Sequence, residues 1–522
     1  MNKISSFKFS NLFSAIKVSF WTGSSRVFGL LRDISTTNLF GASIYHDIFV
    51  VVLRIPNLFR RFFAEGAFNQ AFVPILSDFE SNKPQDEIKD FIDSMAGLLI
   101  LTLFLFTVFA LAFAPFLIFI FAPGFYFDPD KQMLSVTVLK IMFPYLALIS
   151  LVAFAGGIQN THSKFSLPAA TPLIFNLTLI IFALIIAPKT ETPLFTLAWG
   201  VFAAGILQLI IQLAPLAAIN RLPIPRLNFS NKGIKKFFRI VFPAILAGGI
   251  TQINLLIDTI FASLLQTGSP TWLYISDRLI QFPLGIFAIA VGTVLLPSLS
   301  KSVMNQNFVE YKKNLHNSFR LVTFIALPSM VGLICLAEPI ISTLFYRGDF
   351  LKIDVIQSAY SLVFFCYGLP FFMMMKVLTP AFFSRQDTKT PFYIAVFSLL
   401  INGFLNYFLA FKIGLGHGGL ALGSSIAVFL SVTIMLIILS RSNFISFSIL
   451  WHRTNLTSIV SSLILLVIFI LLQKMDLNLT NYFYDFNEVQ RIASIIFIIM
   501  ISIFIYFAIN KFIFNVNLKD FY

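Results

Sequence analysis

Unbroken apolar runs of about twenty residues, each long enough to cross a hydrocarbon layer ~30 Å thick, recur along this 522-residue chain from end to end. A backbone surrounded by lipid must satisfy its own hydrogen bonds, so such runs fold as helices or close into a barrel. Barrel strands alternate apolar and polar residues. Here the runs do not alternate, and 58% of the residues are hydrophobic against 11% charged. The chain therefore reads as an all-α polytopic membrane protein with little length left for a soluble domain.

Pro, Gly, Asn and charge clusters divide the runs into fourteen expected spans: 14–39, 45–76, 91–121, 133–159, 166–187, 194–219, 234–264, 271–299, 316–345, 355–384, 391–411, 418–440, 454–473 and 489–514. The first two are the least hydrophobic. Lys and Arg gather at the N-terminus, in the loops after spans 2, 4, 6, 8, 10 and 12, and in the C-terminal tail. One of these loops carries Arg221, Arg226, Lys232, Lys235, Lys236 and Arg239. The opposite loops hold Lys131, Lys189, Arg347, Lys352, Lys412 and Lys474. Positive charge stays on the cytoplasmic side, so both termini are expected there. The formal net charge of +14 is spread over membrane-edge loops rather than one face, which argues against a nucleic-acid partner. Cys335 and Cys366 both lie inside apolar runs and offer no disulfide framework. The N-terminus lacks the pattern of a cleaved signal and is expected to be retained.

An internal repeat is visible when span 2 is laid beside span 8. Residues 54–77 read RIPNLFRRFFAEGAFNQAFVPILS and residues 281–300 read QFPLGIFAIAVGTVLLPSLS. Both place Pro after a long residue, Gly near the middle and Pro-x-Leu-Ser at the end. A second pair follows at a similar offset, QNTHSKFSLPAATP (159–172) and SRQDTKTPF (384–392). Spans 1–6 and 7–12 thus read as two copies of a six-helix unit, an N-lobe at 1–222 and a C-lobe at 223–441, with two added helices in 442–522. An even number of spans per copy makes the repeat parallel, and such repeats commonly place a substrate path at their interface.

Charge inside the membrane is costly, ~2.5–3.5 kcal/mol for Arg at a helix centre, and it concentrates in three spans. Span 1 carries Arg26, Arg32 and Asp33; span 2 carries Asp47, Arg54, Arg60, Arg61 and Glu65; span 8 opens with Asp277 and Arg278. Arg61 and Glu65 are four apart and share a helical face, the spacing of an ion pair. Arg26 and Asp33 share a face across Gly29. Residues adjacent in sequence do not face one another, so Arg32 with Asp33 and Asp277 with Arg278 are not ready-made pairs, and Arg32, Arg60 and Arg278 read either as functional cations or as members of interhelical structural pairs with Asp33, Asp47 or Asp277. Several Arg converging between two repeats would form a cationic chamber, and guanidinium groups favour phosphate or carboxylate ligands. Asp258 in span 7 reads either as a hydrogen-bonded structural group or, with Asn254 one turn away, as part of a cation site. Lys376 and Glu338 have no evident partner.

Other signals fail. GLGHGG at 414–419 fits a G-x-G-x-x-G spacing through Gly414, Gly416 and Gly419, but it joins two spans and follows no strand. No Walker A lysine motif, H-E-x-x-H or G-x-S-x-G occurs.

The stretch SSRVFGLLRDISTTNLFGASIYHDIFVVVLRIPNLFRRFFAEGAFNQAFVPILSDF (24–79), with FPAILAGGITQINLLIDTIFAS (242–263), SDRLIQFPLGIFAIAVGTVLLPSLSKS (276–302) and SRQDTKTP (384–391), resembles the MurJ (MviN) family of bacterial lipid II flippases. The likeness runs over essentially the whole chain. It implies the multidrug/oligosaccharidyl-lipid/polysaccharide exporter fold: two six-helix lobes around a central cavity, and two C-terminal helices beside a lipid-holding groove. It implies substrate-binding roles for Arg26, Arg32, Arg60 and Arg278, and structural or gating roles for Asp33, Asp47, Arg61 and Glu65. A sodium site, described for some members near helix 7, would here draw on Asp258 and Asp387.

The expected function is a flippase that carries lipid II, the undecaprenyl-diphosphate-linked peptidoglycan precursor, to the outer leaflet of the bacterial cytoplasmic membrane by alternating access. It would act as a monomer among membrane lipids, without a catalytic constellation, coupled to the membrane potential or to sodium. Two alternatives stand beside it: a cation-coupled exporter of drugs or another lipid-linked glycan, and a membrane enzyme that processes polyprenyl diphosphates.

Overall fold

A computed structural model describes residues 2–63, 67–449, 451–474 and 483–516, and these are helical, with no strand among the described residues. In chain order the helices are α1 (Asn2–Phe40), α2 (Ile44–Phe63), α3 (Ala67–Asn82), α4 (Gln85–Ala112), α5 (Ala114–Phe121), α6 (Pro123–Tyr126), α7 (Pro129–Met142), α8 (Tyr145–Thr161), α9 (Ser166–Ile181), α10 (Pro193–Ala218) and α11 (Lys232–Ser263). There follow α12 (Ser269–Pro283), α13 (Ile289–Met304), α14 (Phe308–Cys335), α15 (Ala337–Phe345), α16 (Lys352–Phe383), α17 (Lys389–Tyr407), α18 (Gly416–Arg441), α19 (Arg453–Lys474) and α20 (Glu488–Ala508). Local chemistry marks many of the starts. Pro123, Pro129 and Pro193 open their helices, where a missing N–H costs nothing. Asn231, Asn307 and Asn487 accept backbone N–H bonds as N-caps.

Among the described residues, 11 helical stretches are long and apolar enough to cross a membrane, and they coincide with eleven of the fourteen expected spans. The remaining three, spans 1, 2 and 7, fall on α1, on α2 with α3, and on α11. Their described residues are helical too, and spans 1 and 2 carry most of the embedded charge.

Contacts group the chain into two compact units, Met1–Thr267 and Gly268–Tyr522. In the first, α1 lies along α9, α10 along α8 and α9, α2 along α7, and α11 along α3. The last pairing keeps α11 with the first unit, although it follows the expected lobe boundary at 222/223. Its C-terminal end meets α6 backbone to backbone: a Cβ at Gly124 would fall 1.9 Å from the Ser263 carbonyl oxygen. In the second unit α16 is central, packed by α12, α13, α14, α15 and α18. Its Leu369, Met373, Val377 and Ala381, spaced by four, form a fully buried stripe. The C-terminal helices α19 and α20 pack against α14 and α15.

The repeat read from the sequence has matching signatures inside each unit. After α8 the chain reverses through Ser163 in the left-handed region (φ 58°), and Lys164 N–H bonds back to the Gln159 carbonyl at 2.9 Å. After α16 it does the same through Gln386 (φ 61°), with Asp387 N–H to the Phe382 carbonyl at 3.1 Å. The ends of α10 and α18 match likewise, at Asn220 and Asn443. There Arg221 N–H reaches Leu216 and Phe444 N–H reaches Leu439, both at 2.9 Å. This six-residue closure satisfies carbonyls left over at a helix end. At the opposite ends, π-helical turns at Phe182–Ile186 and Phe408–Lys412 continue α9 and α17.

Candidate functional site

The charged residues of span 1 sit where α1 packs on α9. Arg32 is largely enclosed, its side chain 11% exposed, and Asp33 is buried beside it. The pair that adjacency argues against does form: Arg32 Nη2 lies 2.6 Å and Nε 3.0 Å from Asp33 Oδ1. The adjacency rule describes where Cβ atoms point, and a long, flexible Arg stem carries its guanidinium around the helix to the neighbouring carboxylate. Arg32 Nη1 donates to Asn176 Oδ1 on α9 at 3.1 Å, and its guanidinium carbon lies 5.8 Å from the Phe175 ring centroid. Asn176 Nδ2 in turn donates to the Ser25 carbonyl at 3.0 Å. One α9 amide thereby holds two points of α1 about two turns apart.

Asp33 also anchors the outer part of α1. Its carbonyl accepts from Thr37 Oγ1 at 2.8 Å and Thr36 Oγ1 at 3.1 Å. Thr36 Oγ1 is 3.2 Å from Nε2 of buried His46, at the start of α2 next to buried Asp47. Further along α2, Arg54 Nη1 donates to Thr259 Oγ1 on α11 at 2.8 Å, which ties these helices together beside Asp258. Arg60 is half-buried and Arg61 exposed at the end of α2. Glu65, and with it the expected Arg61–Glu65 pair, lies outside the described residues. Arg26 is exposed on α1 and, among the described residues, carries no ion pair.

Arg278 and Asp277 are half-buried on α12 in the second unit, where Asp277 Oδ2 accepts from Gln281 Nε2 at 3.1 Å. Lys376 is exposed on α16. Asp387 accepts the Thr390 N–H at 3.0 Å at the start of α17. Burial pushes its carboxyl upward, but the bonds from the Thr390 backbone and hydroxyl, with the charge of Arg385, outweigh this and hold it below the usual carboxylate range. Asp387 is spent on holding α17, and among the described residues no three His, Cys, Asp or Glu groups could share a metal ion.

Asn176, Phe175 and Ser25 were not marked by sequence reasoning. An Asn within the apolar run PLIFNLTLI was the available sign. Polar atoms buried in a membrane helix need partners, and that demand alone does not say which helix supplies them.

A family model described as lipid II flippase MurJ matches residues 36–489. The chain belongs to the MurJ family. A lipid II flippase MurJ of Burkholderia cenocepacia is 37% identical over 460 residues, covering 87% of this chain and 89% of its own. A Vibrio cholerae protein described as "Probable lipid II flippase MurJ" is 39% identical over 429 residues, 81% of each chain. A solved MurJ structure in an inward closed conformation superposes with a TM-score of 0.78 at 27% identity, over 96% of this chain and 99% of that one. An inward-facing multidrug transporter of the MATE family shares the fold alone, at 12% identity, a TM-score of 0.63, and 80% and 94% coverage.

Proposed function

We propose that this chain is a lipid II flippase of the cytoplasmic membrane, a transporter rather than an enzyme, working in peptidoglycan synthesis. The observation that carries the reading is the family match over 36–489, which begins near the end of α1, a turn beyond Arg32. A translocated diphosphate needs positive charge that does not titrate away, and guanidinium groups provide it. Arg26, Arg32, Arg60 and Arg278, the residues that the family resemblance implies, are the proposed substrate-binding set. Asp33, Asp47, Arg61 and Glu65 shape and gate it.

In this reading Asp33 is a stand-in for substrate. It holds Arg32 while no diphosphate is bound, and the incoming headgroup takes over the guanidinium. The exchange avoids leaving a buried cation bare at any stage. Alternating access carries the headgroup across, the tail rests by α19 and α20, and the positive-inside distribution supports cytoplasmic termini. Moving negative charge outward gains ~2.3 kcal/mol per charge per 100 mV of membrane potential, and no step is routed through sodium.

The test is depletion of the protein followed by measurement of lipid-linked precursor reached by an external probe, with rescue by wild type, Arg32→Ala and Arg278→Ala. Wild type restores access and the two variants do not; full rescue by both defeats the proposal.

A further inference from the structure

The link between α10 and α11 is not a slack loop. Residues 221–231 run as an irregular strap fastened to α3 and α4. Buried Arg221 grips Glu80 through two bonds of 2.8 and 2.9 Å and also reaches Gln85. Lys89 bonds both Asp93 and the Leu222 carbonyl. Asp93 accepts the Ile224 N–H at 2.8 Å, its own carbonyl accepts the Arg226 N–H at 3.0 Å, and Asp90 accepts from Asn231 Nδ2 at 2.7 Å. A Cβ at Gly97 would sit 2.1 Å from the Arg226 carbonyl oxygen, so α4 and the strap meet backbone to backbone.

With its N–H edge turned to α4, the strap presents its side chains outward. Leu222, Ile224, Leu227 and Phe229 are 41%, 55%, 60% and 56% exposed. Arg226, Lys232, Lys235 and Arg239 are exposed as well and, among the described residues, have no carboxylate partner. Three nearby acids are already paired with other cations: Asp78 with Lys236, Glu80 with Arg221 and Asp93 with Lys89. Apolar groups interleaved with unneutralised cations, a few residues from the end of a membrane-crossing helix at Ala218, match the chemistry of a bilayer interface. A water-facing loop has no use for four large exposed apolar side chains.

We propose that this strap docks onto anionic phospholipid headgroups of the leaflet at that end of α10. Leu222, Ile224, Leu227 and Phe229 enter the interfacial layer, and Arg226, Lys232, Lys235 and Arg239 meet the phosphates. The site is independent of the transported substrate. It makes the strap a sensor of leaflet charge fastened directly to α3 and α4.

The test uses the full chain reconstituted in vesicles, with Phe229→Trp read as the difference from the parent protein. Brominated phosphatidylglycerol should quench the added emission about fivefold more effectively than brominated phosphatidylcholine at equal mole fraction, the effect of one cation near an anionic surface. Arg226→Gln, Lys232→Gln, Lys235→Gln and Arg239→Gln combined should remove the preference. Equal quenching by both lipids, or a preference that survives the four substitutions, overturns the proposal. No quenching by either lipid also overturns it and assigns the surface to a soluble partner. The two-lipid comparison in the single Phe229→Trp variant stands even where the fourfold variant fails to fold.

Discussion

Asn176 and Arg32 lie 144 positions apart in the chain and meet through a 3.1 Å hydrogen bond. Because Asn176 also donates to the Ser25 carbonyl, its amide sets the height of α9 against α1 and the direction of the guanidinium together. A carboxylate there would neutralise Arg32, and an apolar group would remove both part-buried bonds. The amide is suited to both partners.

Asn176→Leu should therefore weaken lipid II handling without abolishing expression. A hydrogen bond to a charged group is worth ~1.5–3 kcal/mol, so about a tenfold rise in KM for flipping is expected, with a smaller change in kcat. Asn176→Gln should recover part of the loss, and Asn176→Asp should recover none. Equal kcat and KM values for Asn176→Leu and wild type in reconstituted vesicles would remove Asn176 from the site.

Asp33→Asn tests the exchange of partners. Losing the carboxylate leaves Arg32 available to diphosphate, so the affinity for a lipid-linked diphosphate should rise severalfold while turnover falls, because release slows. Binding by fluorescence titration and transport in the same vesicles separate the two. Weaker binding in this variant contradicts the role given to Asp33.

The strap offers a stability test. Gly97→Ala drives a methyl into the Arg226 carbonyl, which is backbone and cannot swing aside. Overpacking of this kind costs about 1–3 kcal/mol, and the strap should become the first site of proteolysis. Arg221→Ala, which removes two charge-assisted bonds to Glu80 and leaves it only His162, should lower the Tm by a comparable amount. Limited proteolysis and thermal unfolding of the detergent-solubilised protein check both.

Asp387 gives a pH dependence with a definite sign. Its carboxyl is held below the usual range, so its contribution is present above the unfolded-state value and disappears as pH falls through the lower folded value. Acidification should loosen the start of α17 in wild type, and Asp387→Asn should flatten that part of the curve. Tm measured against pH for the two proteins decides it.

Much of the architecture was legible in the chain. The apolar runs gave eleven helices at their expected places, and the paired loop motifs after α8 and α16 close with the same left-handed turn. Arg32 was recognised as embedded, but its pairing with Asp33 was not. Helical spacing fixes only the direction of each Cβ, and the Arg side chain is long enough to reach around it.

Hydrophobicity, helix period and capping act over a few residues, and for that reason the sequence alone determined a polytopic helical chain, its internal repeat and the location of its buried charge. Which groups answer that charge depended on how helices far apart in the chain come to lie. Only the tertiary structure decided that Asn176 meets Arg32, that Thr259 receives Arg54, that α11 packs with the first unit, and that a basic link lies as a strap on α4. These are long-range choices, set by packing and by the need of buried polar atoms for partners, and no local pattern encodes them.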